Sequence, residues 1–522
     1  MKRYSLRNMS LLLVGALGIG VGGCGINSDS NSSDNSNTNS TATVTTNSTT
    51  TVTTSYNSPF LKLYERKNDD NNGSRFNVTF TDGIELPDNG DYLVFGTGSI
   101  DKYDTNKRGD DALYARISSK DGTLQSANYV AYNSADAQAD LNEGYIRAAK
   151  LSYEQEDGTS VNNVVLVGTA TSTGWAGETG LLVTLLNGDG SYKWSKFYQL
   201  TDGNSLFINS VAADSDGTFW VVGNGFVPAK DKDGYIYTTN LGVVIHIDAK
   251  TGAILNSEHI GIDDSVSNYS GVVVANGQVY ITGTSYDEAV DKNIDPDGGG
   301  SNTVLLLELN KDGTLKNGSK YIRKGHWGET GDGIGYKNGS VYIAYETNVY
   351  GMSEAYGGIL KVDDTNIANL QKAMEIYSTS PYSYYRDFEI SGDNIYLTAA
   401  HNAFYQIDLY GNIKKVASTL GAWRGGMFVD SSNNIITFGN GTSPLAASFV
   451  TKFPNDLNIT CNNNTLVSSP EQNATDVTEQ WFVETIDSPY ETVGVGLATN
   501  NANSFEQGSA LDIITQTNEC NQ

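Results

Sequence analysis

The sequence predicts an all-β fold built from a repeated four-stranded unit, and three observations lead to this prediction. Short apolar runs rich in Val, Ile and Tyr are separated by Gly, Asp and Asn, which is typical of strands joined by turns. The clearest unit lies between Leu206 and Gly261, where four such runs follow one another. Gly is abundant at 56 residues and Tyr at 31, whereas Pro is only 9, as expected for strands connected by tight turns.

The repeat has a first marker, which is a short apolar strand that ends in Gly and follows a turn containing Gly or Asn. The copies are DNGDYLVFGTG, NNVVLVGTA, DGTFWVVGNG, NGQVYITGT, NGSVYIAYE, GDNIYLTAA and SNNIITFGN. A second marker, a strand followed by a hairpin turn and a return strand, follows each of the first six copies. Propeller blades of about 40 to 50 residues, lengthened by loop insertions, explain this spacing. We therefore predict a seven-bladed β-propeller over residues 59–454, with six or eight blades left open because the fifth and sixth copies are weak.

The last copy of the repeat lacks a clear fourth strand. The segment Phe60 to Arg66, FLKLYER, precedes the first blade and resembles the return strand WSKFYQL of Trp194 to Leu200. A ring that combines strands from both ends of the chain in one blade has no exposed sheet edge there. We expect the Phe60 strand to pair in the blade that contains Gly439.

The first 24 residues have the pattern of an export signal. A basic start is followed by an apolar stretch from Leu11 to Val21, too short for a stable membrane span. The sequence Val21-Gly22-Gly23-Cys24 resembles the lipobox of bacterial lipoproteins. This resemblance implies that Cys24 is acylated, becomes the mature N-terminus and anchors the protein in the cell envelope, with the outer membrane or cell surface as the expected place. The alternative is an ordinary cleaved signal with a chance Cys.

Residues 25–58 consist almost entirely of Ser, Thr and Asn. This composition cannot bury a core, so we expect a disordered tether that holds the folded body away from the membrane.

The repeat itself resembles the bacterial extracellular β-propeller repeat of many secreted and lipid-anchored proteins. The resemblance covers residues 59–454 and implies the fold. It implies little about activity, because that family is largely uncharacterised and a fold does not determine a function.

The tail, residues 455–522, has no blade marker and is predicted as a small C-terminal β appendix. Three strands are expected in it, at Thr478 to Ile486, Glu491 to Thr499 and Ala510 to Thr517. It contains Cys461 and Cys520, and in an exported protein such a pair indicates a disulfide. Two free thiols are the alternative.

Composition and motifs argue against several classes of function. The net charge is −27, and loss of Lys2, Arg3 and Arg7 with the signal would make it −30. Phosphate groups repel such an acidic chain, so nucleic-acid binding is not expected. Only four His are present, His246 lies in a predicted strand where a packed ring is expected, and no GxSxG, HExxH or zinc spacing occurs. A hydrolase or zinc enzyme is therefore disfavoured.

Two enzyme classes stay open as alternatives. Acidic residues are plentiful enough for a paired-acid glycan hydrolase or lyase. The segment IDAKTGAIL, Ile247 to Leu255, resembles one repeat of pyrroloquinoline-quinone dehydrogenases, although it occurs once and no vicinal Cys pair accompanies it.

One acidic segment resembles the start of a calcium-binding loop. Asn293, Asp295 and Asp297 alternate and Gly298 follows, but no carboxylate stands at the ninth or twelfth position. The residues predict a structural calcium site with no other cofactor, and an acidic loop without metal is the alternative. The Asp-Gly pairs are instead predicted as hairpin turns; they begin at Asp121, Asp189, Asp216 and Asp312.

Three large insertions predict where a partner binds: Ser99 to Asp111, Phe226 to Asn240 and Tyr286 to Asn302. They place Tyr235, Tyr237 and Tyr286 in predicted binding loops, and such rings suit protein or carbohydrate contacts. The sequence therefore favours a non-enzymatic scaffold that binds an envelope protein or a glycan, and an envelope enzyme is the second reading.

Overall fold

The computed structural model describes the repeat region and most strands of the tail. The described residues are 59–66, 78–98, 110–132, 141–172, 179–201, 204–230, 236–260, 266–287, 301–323, 328–348, 355–376, 385–399, 403–418, 426–440, 448–454, 460–461, 464–465, 474–486, 492–494, 497–500, 505–509 and 514–518. Strands are numbered in chain order, from β1 (Phe60–Arg66) onward.

Seven antiparallel sheets form seven blades. Blade 1 contains β2 (Val78–Glu85), β3 (Tyr92–Gly98), β4 (Asp111–Ile117) and β5 (Leu124–Tyr132). Blade 2 contains β6 (Leu141–Glu154), β7 (Ser160–Ser172), β8 (Thr179–Asn187) and β9 (Tyr192–Leu200). Blade 3 contains β10 (Leu206–Ala213), β11 (Thr218–Lys230), β12 (Ile236–Asp248) and β13 (Ile254–Ile260). Blade 4 contains β14 (Val266–Ala275), β15 (Gln278–Asp287), β16 (Ser301–Asn310) and β17 (Leu315–Arg323).

The remaining blades follow the same plan. Blade 5 contains β18 (Glu329–Lys337), β19 (Ser340–Asn348), β20 (Ala355–Asp363) and β21 (Asn366–Ile376). Blade 6 contains β22 (Tyr385–Ser391), β23 (Asn394–Ala399), β24 (Ala403–Asp408) and β25 (Ile413–Ser418). Blade 7 contains β26 (Met427–Val429), β27 (Ile435–Asn440), β28 (Ser448–Phe453) and the N-terminal β1. The seven-bladed propeller predicted from the repeat is confirmed.

The ring closes through strands from both parts of the chain, as the sequence predicted. β1 pairs antiparallel with β28, with Phe60 opposite Lys452 and Tyr64 opposite Ser448. β28 pairs in turn with β27, which contains Gly439. The edge that blade 7 would otherwise expose is thus filled by the first strand of the repeat region.

The apolar core is a ring of seven separate clusters, each lying between two neighbouring blades. The cluster around Phe219 joins blades 2 and 3, for example, and the cluster around Phe428 joins blades 7 and 1. Sheets that bury both faces in this way have nearly continuous apolar second and third strands, such as YLVFG and LLVTLL. Each blade is therefore stabilised by both neighbours.

In blades 1 to 4 a backbone bulge explains the glycine that ends the first marker. The first strand of six blades carries one extra residue, for example Thr81 in β2 and Asn209 in β10. The bulge presses a backbone carbonyl against the second strand, so that a Cβ on Gly96 would lie 1.9 Å from the oxygen of Thr79. In blade 5 the marker residue is Tyr345, and the residue opposite it, Gly331, supplies the space instead.

The extra bulge residues also link blades near the axis. Thr81 Oγ1 donates to the carbonyl of Tyr145 in blade 2 (2.9 Å), and Asn209 Nδ2 donates to that of Tyr269 in blade 4 (2.6 Å). Ser270 Oγ donates likewise to the carbonyl of Gly331 in blade 5. Each bond satisfies a buried carbonyl at the same position of the next blade.

The tail adds a fifth strand to most blades. After a short hairpin of β29 (Thr460–Cys461) and β30 (Asn464–Thr465), it supplies β31 (Ala474–Asp476), β32 (Trp481–Thr485), β33 (Thr492–Gly494), β34 (Leu497–Asn500), β35 (Phe505–Ser509) and β36 (Ile514–Asn518). These strands join blades 5, 4, 3, 2, 1 and 7 in that order. The tail therefore runs around the outside of the ring against the direction of the blades.

The sequence predicted three strands in the tail, and the structure places strands within all three segments. It also adds β29, β30, β31 and β35, which were not predicted. Apart from the β29–β30 hairpin, the described tail strands belong to blade sheets, because the outer strand of a blade offers unpaired backbone groups that a passing segment satisfies.

Candidate functional site

The two faces of the propeller differ in the connections that they carry. At one end, here called the turn face, hairpins as short as Asn276-Gly277 join the first strand of a blade to the second and the third to the fourth. At the opposite end, the loop face, strand ends bracket the longer connections, including 67–77, 99–110 and 288–300. This division follows from antiparallel pairing, and it gathers the long insertions at one face.

The turn face carries an acidic residue in most of its turns. The predicted hairpins at Asp121, Asp189, Asp216 and Asp312 are confirmed, and each following Gly has a positive φ between 71° and 91°. The Asp side chains cap these turns; Asp312 Oδ1, for instance, accepts bonds from the Thr314 hydroxyl (2.6 Å) and backbone N–H (2.9 Å). These bonds lower the pKa of Asp312. The acidic groups are thus explained by turn geometry.

Three charged side chains meet where the first strands of blades 1, 2 and 6 approach the axis. Arg147 Nη1 lies 2.7 Å from Oδ2 of Asp82, and Nη2 lies 3.5 Å from Oδ1 of Asp387. The three side chains are 1–3% exposed. A Cβ on Gly426 would lie 2.6 Å from Asp82 Oδ1, so only glycine lets blade 7 approach this axial ion cluster.

The axial ion cluster holds more potential negative than positive charge. Burial raises the pKa of Asp82, and the neighbouring Asp387 raises it further, whereas Arg147 lowers it. Burial also raises the pKa of Asp387, against the effect of Arg147. One guanidinium thus serves two carboxylates, and backbone N–H groups of Gly83 and Met427 help to satisfy them.

A second polar level lies nearer the turn face. Lys150 Nζ is 3.4 Å from Oε2 of Glu85, and Ser431 donates to Glu85 from both its N–H (3.0 Å) and its hydroxyl (2.7 Å). The N–H of Val429 donates to Glu389 Oε2 at 2.6 Å, and burial raises the pKa of Glu389 well above its usual range. These contacts join blades 1, 2, 6 and 7 around the axis.

The arrangement is suited to holding blades together. Removing one member would leave an uncompensated buried charge, which is strongly destabilising. The side chains of the axial ion cluster are too buried to contact a ligand directly. Its role is therefore to fix the inner ring on which the loop face is built.

A further buried group connects the tail with blades 4 and 5. Arg323 at the end of β17 forms an ion pair with Glu375 on β21, and its Nη2 donates to Gln480 Oε1 of the tail at 2.9 Å. Glu329 lies beside Arg323, and burial raises its pKa to about 8 although Arg323 and the Thr347 hydroxyl act to lower it. The tail is thus attached by a polar contact as well as by strand pairing.

His246 is packed, as the sequence predicted. Its ring stacks on Trp220 with centroids 3.9 Å apart, and Nε2 lies 2.8 Å from the hydroxyl of Thr218. Burial lowers its pKa. Since the Thr218 hydroxyl already donates to Asp216 at 2.6 Å, the arrangement fits a His that donates to Thr218 and serves the packing.

The predicted binding tyrosines do not all lie in loops. Tyr286 is paired in β15 opposite Asn302 and is 37% exposed, and Tyr237 is paired in β12 opposite Ala229. The insertion Phe226 to Asn240 was predicted as a loop, but β11 and β12 extend through it to the pair Lys230–Ile236. Its second half, Ile236 to Thr239, consists of aromatic and β-branched residues that favour strands. Tyr235 lies outside the described residues.

Other predicted site residues also lie outside the described residues: Cys24, Asn293, Asp295, Asp297 and Cys520. Cys461 is in β29, opposite Asn464. Among the residues that the structure describes, no group of three or more His, Cys, Asp and Glu could hold a metal ion. In the same residues no helix is long and apolar enough to cross a membrane.

Sequence reasoning missed the axial ion cluster. Asp82, Arg147 and Asp387 each stand directly after the extra residue of a first strand. Aligning the first strands of the blades would have shown three charged residues at one buried repeat position. Their mutual contact had no local signal, because 65 residues separate the first two along the chain.

Comparisons with known proteins add little to these observations. No family model matches the sequence, and no curated protein matches it. Structures with a similar trace include BamB from Moraxella catarrhalis, with 12% identity over 72% of this chain and 83% of that chain and a TM-score of 0.35. Sqt1 from Saccharomyces cerevisiae has 12% identity over 73% and 100% with a TM-score of 0.35, and Myxococcus xanthus glutaminyl cyclase has 12% over 47% and 90% with a TM-score of 0.25. The seven-bladed fold is shown by the strand pairing of this chain itself.

Proposed function

We propose that this protein is a non-enzymatic binding or scaffold module of the cell envelope, and that its loop face contacts a protein or a glycan. The observation that carries the proposal is the difference between the two faces. The turn face uses short hairpins, whereas the strand ends of the loop face bracket the long insertions 99–110 and 288–300. Loops on a rigid scaffold are the usual place for binding residues.

The inner ring supports this proposal by keeping the loop face in place. Arg147 joins blades 1, 2 and 6, and Glu85 joins blades 1, 2 and 7, so four of the seven blades are linked near the axis. Such cross-links favour a preorganised surface, which reduces the entropic cost of binding. At the loop face, Tyr286 offers a partly exposed ring beside one of the long insertions.

Affinity capture from detergent-solubilised envelope tests the binding proposal. Three insertions, 99–110, 231–235 and 288–300, are each replaced by a Gly-containing turn in one variant. The matched control shortens the turn-face hairpin at 155–159 instead. We expect a stable partner with the wild type and the control, and loss of that partner with the loop-face variant.

The opposite result defines the alternative function. Absence of a partner, together with turnover of a glycan that a single Asp or Glu substitution abolishes, would show an envelope enzyme of the paired-acid type. Turnover that depends on added pyrroloquinoline quinone would show a quinoprotein dehydrogenase instead.

We propose attachment to the membrane through a lipid on Cys24, which rests on the lipobox resemblance. Metabolic labelling with a palmitate analogue should tag the wild type but not Cys24→Ala. Label that persists in the variant would contradict the proposal.

Two smaller proposals concern Cys461 with Cys520 and the segment 293–298. A disulfide is supported by chain order, since β28 and β36 flank β1 in blade 7 and a Cys follows each of them. Non-reducing peptide mapping should recover the bridged pair, and two alkylated thiols would refute it. Calorimetry with millimolar Ca²⁺ should give binding heat that is lost in Asp295→Asn/Asp297→Asn, and absence of heat in the wild type would remove the site.

A further inference from the structure

Blade 6 differs from the other blades at its outer edge. β25 pairs with β24 on one side, and among the described residues no strand pairs with its other side. Along the chain, residues 455–473 lie between β28 of blade 7 and β31 of blade 5. In that interval β29 and β30 pair with one another, and neither is paired with β25.

An unpaired outer strand presents backbone N–H and C=O groups to any extended chain. In this protein the same kind of edge accepts a strand in six blades, with partners as short as β33 (Thr492–Gly494). The outer strands of these blades are thus compatible with strand addition. β25 offers the same geometry.

The chemistry of the blade 6 edge indicates what kind of strand it fits. β25 reads IKKVAS, with Lys414 exposed and Lys415 half-buried, and it contains no acidic residue. The chain as a whole carries a net charge of −27, so a basic edge stands out against its surroundings. Burial acts to raise the pKa of Asp408, but hydrogen bonds from Asn412 and Tyr410 and the nearby Lys414 lower it, so this carboxylate is ionised. Two lysines against this one carboxylate leave the edge net positive.

An aromatic side chain stands beside this basic edge. Tyr410, in the turn that leads into β25, is 73% exposed, the largest value among the exposed large hydrophobic residues of the described chain. Its carbonyl accepts a bond from Lys372 Nζ at 2.6 Å, which brings a third lysine to the same turn. A Tyr with this exposure can cover an apolar side chain of a bound strand.

We propose that the outer edge of β25 binds an extended acidic segment of a partner protein by strand addition. Backbone hydrogen bonds to β25 provide the attachment, and Lys414 and Lys415 attract the acidic side chains. Tyr410 contacts an apolar side chain at the end of the segment. This site lies on the outer edge of the ring, so it is independent of binding at the loop face.

Hydrogen exchange of the full-length protein, followed by mass spectrometry, tests the proposal. The probe is a synthetic peptide of alternating valine and glutamate, and the control peptide alternates valine and lysine. We expect the amides of 413–418 to exchange rapidly in the free protein and to slow by roughly tenfold or more with the acidic peptide. The lysine peptide should have no effect, and β17, which β32 covers, should not change with either peptide.

Charge reversal provides the matched variants. Lys414→Glu/Lys415→Glu should abolish the effect of the acidic peptide. Lys193→Glu on β9, an outer strand whose end at Phe197 to Leu200 pairs with β34, should retain it. Lys415 is half-buried, so melting temperatures of all variants are measured, and equal values show that folding is intact.

Three outcomes would overturn the proposal. Slow exchange of 413–418 in the free protein at low concentration would mean that the chain covers its own edge, most simply with residues 466–473. Slow exchange only at concentrations where a dimer elutes on size exclusion would mean that a second copy fills it. Rapid exchange that neither peptide changes would mean that the lysines act to keep strands away.

Discussion

Blade 4 and blade 6 have the same four-stranded plan, but only blade 4 carries a strand from the tail. β32 pairs with β17 from Trp481–Arg323 to Thr485–Ser319, whereas β25 ends its sheet among the described residues. Both blades nevertheless bury apolar clusters against their neighbours. The comparison shows that a blade of this repeat is complete with four strands and that the tail contributes something different.

The contribution of the tail lies between the blades. Trp481 is 6% exposed and packs edge-on against Tyr345 of blade 5, with ring centroids 4.8 Å apart. Val477 joins the same cluster, which spans blades 4 and 5. Gln480 meanwhile accepts the hydrogen bond of Arg323. The tail therefore closes the outer part of the blade 4–5 contact. Blade 6 keeps its four-stranded sheet without a described tail strand.

Removal of the six tail strands β31 to β36 should have the largest effect. A chain ending after Asn473 would expose the outer edges of six blades and the apolar surface that Trp481 and Val477 cover. We expect a loss in unfolding free energy beyond about 5 kcal/mol, with aggregation through the freed edges. Chemical denaturation and size exclusion check this, and deletion of residues 25–58 is the control. Unchanged stability of the shortened chain would show that the tail only lies on the surface.

Substitution of Trp481 alone should have the second largest effect on stability. Trp481→Ala removes a buried ring and leaves a cavity beside Tyr345, which should cost about 3–5 kcal/mol of unfolding free energy. Trp481→Phe keeps an aromatic contact and should cost less. The matched change in blade 6 is Val416→Ala, a partly buried residue with no tail strand beside it, and it should have the smallest effect of the three. Equal losses for Trp481→Ala and Val416→Ala would contradict the comparison.

A smaller effect is expected from pH, through the buried Glu329 at the blade 4–5 contact. The pKa of Glu329 is raised to about 8 in the folded protein and is near 4.5 when unfolded, so the folded state binds the extra proton between these values. Unfolding free energy should therefore fall as pH rises from about 5 to 8. Glu329→Gln imitates the protonated side chain and should reduce this fall, with little change at pH 5. The part of the fall that remains comes from Asp82, Asp387 and Glu389, whose pKa values are also raised. Denaturation curves at the two pH values measure it, and an identical slope in the variant would refute the assignment.

The sequence predicted what is local in this fold and missed what is not. Strands, hairpins at Asp-Gly pairs and the closure by Phe60 follow from alternation, turn chemistry and the missing fourth strand of the last copy. The pairing of the tail with six blades carried no marker, because an outer edge accepts almost any extended segment through its backbone. Phe505–Ser509, which reads FEQGS, has little strand propensity of its own and is a strand because β5 lies beside it.

The candidate site was predictable only in part. The long insertions of the loop face were predicted from the spacing of the repeat markers. Tyr237 and Tyr286, however, lie in strands that continue further than the sequence indicated. Arg147, Asp82 and Asp387 meet because three first strands converge on the axis, and no short-range pattern reports such convergence. Blade 6 was one of the weak copies of the repeat, and its open edge was not among the expectations.

The position of β1 between β28 and β36 has a consequence for the order in which the molecule becomes complete. β1 is the first strand in chain order, yet both of its neighbours belong to the far end of the chain. Blades 1 to 6 have all their repeat strands close in sequence and can form early. Blade 7 forms later, since Tyr64 must meet Ser448 and Gln516 across almost the whole chain. Contacts of this sequence separation are slow to form, so ring closure should be the late step of folding and the one most exposed to error.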